Sequence, residues 1–209
     1  MIKKEEEKEK TKSGSTGNDL IWGKDSSALG TGSIKSINNR IYFYDSVHHQ
    51  SILNLTEQVQ TVTKKMRVLA VENEIDPPPI MLHIASYGGS IFAGFAGMDM
   101  IKSNPLPIHT IVDGAAASAA TLLSVVGHKR SIRKNAYMLI HQLSSCLVGK
   151  FEEIKDDMQR LEKLMATIKQ TYVDHAKIPK DKLDEIIKHD WWFSAEDCLK
   201  FGLVDEIVE

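Results

Sequence analysis

From Arg40 onward the chain alternates short apolar runs that suit strands with longer stretches whose apolar residues recur every three or four positions. The strand-like runs are RIYFYD (40–45), PIMLHIAS (79–86) and PIHTIVD (107–113), and between them LNLTEQVQTVTKKMRVLAVEN (53–73) and SIFAGFAGMDMIKS (90–103) carry helical spacing. Strand, helix and strand in succession predict βαβ units and a largely parallel sheet, an α/β fold. KRSIRKNAYMLIHQL (129–143) reads as a strand or hairpin, and 151–176 as one long helix. Its apolar residues Ile154, Met158, Leu161, Met165, Ile168 and Tyr172 form one stripe on an otherwise charged surface, bounded by Gly149 and Pro179. Such a stripe packs on the same chain or on a partner subunit, and a polar face that is not basic argues against a membrane-surface helix. Ser194-Ala195-Glu196-Asp197 has the form of a capping box, with Gly202 as the stop of the short helix it opens.

Residues 1–33 break this pattern. KKEEEKEK followed by SGSTGN and ALGTGS has too little apolar surface to offset its ordering entropy, which predicts a mobile charged tail ahead of one domain over 34–209. Ile21 and Trp22 are the exception, an apolar pair able to dock on something. A net charge of −2 gives no reason to expect nucleic acid or an acidic membrane as partner. Cys146 and Cys198 stand in no metal or redox spacing, which suits a reducing, cytoplasmic setting. No run approaches the roughly 18 to 20 apolar residues that span a membrane.

Three groups carry candidate chemistry. GAAASAAT (114–121) places one hydroxyl, Ser118, among five alanines just after an apolar strand. It is either one more small residue in a close-packed helix or a nucleophile at a strand-to-helix junction, with backbone N–H groups for an oxyanion. SYGGS (86–90) sets paired glycines where another strand gives way to a helix, as a plain turn or as an oxyanion donor. AYMLIHQL (136–143) ends a strand with His141, and HDWWFSA (189–195) offers Asp190 beside two tryptophans and a phenylalanine able to exclude water from it. A histidine and an acid in those places are either ordinary structural residues or a general base and the group that orients it.

Taken together, SYGGS, AAASAA, MLIHQ and HDWWFSAEDCLKFGLVDEIV resemble, in order and spacing, the proteolytic subunit of the Clp protease, over about residues 35 to 209. In that family the sequence runs strand, SPGG, helix, small-residue stretch with the nucleophile, strand ending IHQP, long helix, acid, FLSA and a terminal YGLVD. The resemblance implies a ClpP/crotonase-like fold of stacked βαβ units, with the long helix projecting to join subunits. It implies Ser118 as nucleophile, His141 as general base, Asp190 as its orienting acid, and the backbone N–H groups of Gly89 and Ala119 as oxyanion donors. The activity implied is serine-type endopeptidase cleavage of peptides and unfolded proteins without metal or organic cofactor. The partners implied are further copies of the chain, in a tetradecamer of two heptameric rings, and an AAA+ unfoldase that would use the ATP. A subunit with little activity and a crotonase-type acyl-CoA enzyme are the alternatives.

The departures are Ala119 in place of the family's usual Met, Tyr in SYGG, Leu in IHQL, and SSCLVG in place of a glycine-rich run. Met81 and His83 also stand where the family commonly carries aromatic residues lining the outer docking pocket for the unfoldase. A smaller, titratable His83 there predicts a weaker fit for a generic unfoldase loop.

Overall fold

The computed structural model describes residues 33–209. The expected tail therefore lies outside the described residues, as does the Ile21–Trp22 pair, except that Ser33 opens the first strand, β1 (Ser33–Ile37). There follow β2 (Arg40–Tyr44), α1 (His49–Asn73), β3 (Ile80–Ser86), α2 (Ile91–Ser103), β4 (Ile108–Ala117) and α3 (Ala119–Val125). The rest of the chain forms β5 (Lys129–Arg133), β6 (Tyr137–Ile140), α4 (Phe151–His175), α5 (Lys180–Ile187), β7 (Trp191–Phe193), α6 (Ala195–Lys200) and β8 (Glu206–Val208). β1 and β2 are antiparallel, and from β2 the sheet continues through β3, β4, β5 and β8 in parallel, the arrangement that βαβ units produce.

One face of the sheet is buried because alternate strand residues are apolar and helices cover them. Ile41 and Phe43 of β2, Ile80, Leu82 and Ile84 of β3, and Ile108 and Val112 of β4 have no exposed surface. α1 lies on them with Ile52, Leu55, Val59, Val62 and Met66, spaced three and four apart, turned into the core. It starts where the His48 ring accepts the Ser51 N–H at 3.2 Å and the Ser51 hydroxyl accepts the His48 N–H at 3.0 Å. It stops where Glu74 turns left-handed, three residues before three successive prolines begin at Pro77.

β4 organises the rest. Between Ile84/Val112 and Ser86/Ala116 the register shifts, so that β4 advances four residues while β3 advances two. The surplus bulges at Asp113–Gly114, where Gly114 has φ +73° and open space where a side chain would be. Below the bulge β4 pairs with β5, and above it Ala115–Ala117 pair with β6. Residues 129–143 are thus not a hairpin: both of their strands run parallel to β4, one after the other along the same edge. The alanines before Ser118 are strand and not helix, so the junction lies at the serine itself.

α4 has the length its periodicity predicts, but only its last third is buried, through Ile168, Thr171 and Tyr172. Of the rest of the stripe Met158 is 48% exposed and Ile154, Leu161 and Met165 are half-buried, so its first half is only partly covered on the single chain. The capping box at Ser194 forms, with the Asp197 N–H reaching the serine oxygen at 3.2 Å. Asp205 of the terminal GLVD run grips Arg130, accepting from its backbone N–H at 2.9 Å and from Nε at 3.1 Å, which seats β8 on β5. Among the described residues no helix is long and apolar enough to cross a membrane.

Candidate active site

Ser118 sits at the sharp corner between β4 and α3, with φ 54° and ψ −128°, a conformation that an L-residue other than glycine adopts only under constraint. The constraint is visible. Its N–H donates to the Leu139 carbonyl at 2.9 Å, and its carbonyl accepts the Thr121 N–H at 3.0 Å and the Thr121 hydroxyl at 2.6 Å. The first bond continues the β4–β6 ladder by one residue and the others open α3, so the turn is held from both sides.

The SYGG turn lies directly against this corner. A Cβ on Gly88 would come within 2.6 Å of the Ala117 carbonyl, 2.7 Å of the Ser118 Cβ and 3.0 Å of the Ala119 nitrogen, so only glycine fits. The turn is tied down by Val47, whose N–H donates to the Gly88 carbonyl at 2.8 Å and whose carbonyl accepts the Ser90 N–H at 2.7 Å. Neither bond uses the Gly89 N–H, which belongs to the exposed residue of the pair. On the far side Ala119 packs on α2, its Cβ 3.3 Å from where a Gly94 Cβ would be. The alanines therefore do pack closely, as the plainer reading of their sequence held, and Ser118 stands at their edge, half-buried and facing the turn.

Strand register brings the other two candidates to the same place. Ala117 pairs with Leu139 in parallel, and Ile140 pairs with Trp191 in the antiparallel β6–β7 ladder. One step further along each ladder are Ser118, His141 and Asp190. Asp190 Oδ1 lies 3.7 Å from His141 Nδ1, an ion-pair distance about an ångström beyond a hydrogen bond. The water-excluding surround expected for Asp190 is not found: Trp191 stacks on the buried Phe193, ring centroids 6.3 Å apart, but is 52% exposed, and the Asp190 side chain is itself 52% exposed. Three consecutive strand residues alternate in direction, so no run of aromatics can shield one neighbour on all sides.

Beyond His141 the chain runs as an irregular segment along α4, the Leu143 N–H meeting the Met165 sulfur at 3.2 Å. Between this segment, α4 and α5 opens a cavity of about 740 Å³ lined by Leu143, Leu147, Leu161, Met165 and Ile187, with Lys169 and Asp184 paired at 2.7 Å on its wall. It is a recess of mixed character beside the candidate base, its apolar residues interleaved with Gln142, Ser145, Glu162 and Lys188.

The opposite face of the sheet holds a second polar group. Asp113 accepts from the Tyr44 hydroxyl at 2.7 Å and from Arg133 Nε at 3.1 Å, and its Oδ2 lies 2.8 Å from His83 Nδ1. Burial raises the Asp113 pKa, but the bonds from His83, Tyr44 and Arg133 outweigh it and hold the carboxyl below its ordinary value. His83 is 1% exposed beneath a stacked Tyr42 ring, centroids 4.7 Å apart. The expectation that His83 presents a titratable group to a partner is therefore corrected: Tyr42 covers it, and Tyr44 is the exposed aromatic of this face. Among the described residues no group of three or more His, Cys, Asp or Glu side chains could hold a metal ion.

The paired glycines of SYGG were singled out from the sequence, and Gly88 is the one that makes the close approach. Val47 escaped the sequence reading as a builder of the site, because it acts through its backbone.

A family model for Clp protease matches residues 36–209. Among curated proteins, the chain is 32% identical over 173 residues to the ATP-dependent Clp protease proteolytic subunit 1 of Chlamydia trachomatis, covering 81% of this chain and 85% of that one. It is 28% identical over 145 residues to the ATP-dependent Clp protease proteolytic subunit of Deinococcus radiodurans, covering 68% and 71%. Among solved structures, a ClpP1 mutant from Listeria monocytogenes superposes with a TM-score of 0.71 over 82% of this chain and 92% of that one, at 20% identity, which shows the same fold. Because the family match begins at Ser36 in β1, ends at Glu209 and takes in every strand that builds the site, the chain belongs to the Clp protease family.

Proposed function

We propose that this Clp-type protease subunit cleaves peptide bonds by acyl transfer with Ser118 as nucleophile, His141 as general base and Asp190 as the group that orients the base. The observation that carries the reading is the strained corner at Ser118, which lifts one hydroxyl out of a small-residue surface beside the ends of β6 and β7. Asp190 faces Nδ1 of His141, which leaves Nε2 for the serine. Nε2 takes the hydroxyl proton as Ser118 Oγ attacks the substrate carbonyl. The resulting oxyanion receives the N–H groups of Gly89 and Ala119, brought together by the contact of Gly88 with the corner. His141 then passes the proton to the leaving amine, and water, activated by the same ring, releases the acyl group. The recess by Leu143 and Met165 receives a substrate side chain. Nothing in these steps asks for a metal or organic cofactor.

The chain acts as an oligomer with Clp ATPases, as its family does. The finer reading is a tetradecamer of two heptameric rings in the cytoplasm, with the partly covered first half of the α4 stripe supplying ring contacts, an assembly that sedimentation of the purified chain measures. The catalytic reading is tested by labelling with a fluorophosphonate and by Ser118→Ala. Covalent mass gain at Ser118 and loss of fluorogenic-peptide cleavage in the variant are expected. Cleavage at the parent rate in Ser118→Ala would overturn it.

A further inference from the structure

Thr121 stands one turn into α3 and reaches back to the corner: its hydroxyl donates to the Ser118 carbonyl at 2.6 Å and its backbone N–H to the same oxygen at 3.0 Å. A threonine bonded to the carbonyl three residues back is ordinary in a helix. Here the same Oγ also meets the hydroxyl of Tyr172, on α4, at 2.5 Å. A carbonyl only accepts, so the threonine proton points to Ser118 and the tyrosine is the donor to threonine. Tyr172 is 2% exposed, and burial, partly offset by the Thr121 bond, pushes its phenol up to about 12, so it remains a proton donor across the working pH range. The result is a directed chain from Tyr172 through Thr121 to the carbonyl of Ser118.

That carbonyl shares a rigid peptide plane with the Ala119 N–H, and the two point in opposite directions. Whatever fixes the oxygen aims the N–H. We propose that Thr121 and Tyr172 are positioning residues for the oxyanion site, holding the Ser118–Ala119 peptide so that its N–H points at the developing charge. The proposal rests on the reading of Ser118 as nucleophile and Ala119 as oxyanion donor. It adds that the deep end of the long helix takes part in catalysis through one buried hydroxyl. Bonds in series also polarise one another, which makes the Ala119 N–H a stronger donor than a free peptide.

The test uses the full chain with Thr121→Val, Thr121→Ser, Tyr172→Phe and the double variant Thr121→Val/Tyr172→Phe. The readouts are kcat and KM on a fluorogenic peptide, affinity for a peptide aldehyde whose hemiacetal oxygen occupies the oxyanion position, and the fraction of subunits labelled by a fluorophosphonate. Thr121→Val and Tyr172→Phe are expected to lower kcat by about tenfold. KM should stay within about twofold, aldehyde affinity should fall by the same factor as kcat, and the labelled fraction should be unchanged. Thr121→Ser keeps the hydroxyl and restores kcat. The double variant loses no more than Thr121→Val, because the tyrosine acts only through the threonine. Unchanged kcat in both single variants would overturn the proposal. So would kcat losses matched by the unlabelled fraction, which mean partial unfolding, or losses that multiply in the double variant. Failure of the underlying assignment reads differently, as a parent protein in which Ser118 takes no label at all, and it overturns the proposal as well.

Discussion

Replacing Ser118 separates the stability of the corner from its chemistry. At φ 54° and ψ −128° the residue occupies a region that costs a side-chain-bearing residue about 1 to 3 kcal/mol. Ser118→Ala removes the hydroxyl and keeps that cost. Ser118→Gly removes the hydroxyl and the cost together, but gives back about 0.5 to 1 kcal/mol through the greater freedom of glycine in the unfolded chain. The difference leaves the glycine variant more stable than the alanine variant by about 1 kcal/mol. For a chain of 209 residues that corresponds to a rise in melting temperature of about 2 to 4 °C. Thermal melts of the two variants at one subunit concentration read this directly, since assembly makes the midpoint concentration-dependent. Both variants should be inactive on peptides. A glycine variant that melts below the alanine variant would mean that the corner is unstrained, and would remove the structural argument for a nucleophile there.

Asp190→Asn should lower kcat by about 10- to 100-fold, less than the roughly 10⁴-fold seen where a buried acid holds the base, because Asp190 is half-exposed and 3.7 Å from His141; a rate within twofold of the parent would dismiss Asp190 from the site. Gly88→Ala drives a Cβ into the Ala117 carbonyl and Ser118 Cβ at a φ of +92°, which should cost about 2 kcal/mol of stability and abolish fluorophosphonate labelling; a variant labelled at the parent rate would show that the SYGG turn does not support the nucleophile. Asp113 carries a folded-state pKa below its unfolded value of about 3.9, so its contribution to stability is complete above that pH and is lost as pH falls through the lowered folded value. Urea melts of the parent and Asp113→Asn should therefore converge in stability between about pH 5 and the acid limit, whereas a constant gap would deny the ion network its role.

Periodicity located α1, α2, β3 and α4 because each buries one face and repeats its apolar residues accordingly. It lost β4 at Asp113, since three alanines after a glycine have no alternation and their strand state comes from β6, some twenty residues away in sequence. It also failed to resolve β5 and β6, because the partner of both is β4, and a pairing between distant strands leaves no local mark. Of the candidate site, Ser118, His141 and Asp190 were legible as residue types at strand ends, and resemblance supplied their roles. The burial of His83 and the absence of a shield around Asp190 depend on neighbours across the sheet. Tyr172 read as one more member of an apolar stripe. Its hydroxyl has a function in the fold only because Thr121, fifty-one positions earlier, comes to meet it.

The strand that carries Asp190 into place has a further consequence. β7 is three residues long and, among the described residues, pairs only with β6, while Ser118 is held by the centre of the sheet. Cooperative units of a fold open at different free energies, and short edge pieces with exposed side chains open first. Phe193 anchors the strand in the core but Trp191 beside Asp190 is half-exposed, so if Asp190 has the role proposed above it can leave its post by local fraying while Ser118 and the core remain intact. In rising denaturant, peptide hydrolysis would fade before the core signal moves, and amide exchange at Trp191 and Trp192 would outrun that of β3 and β4. The enzyme would be switched off reversibly, by fraying, well short of denaturation.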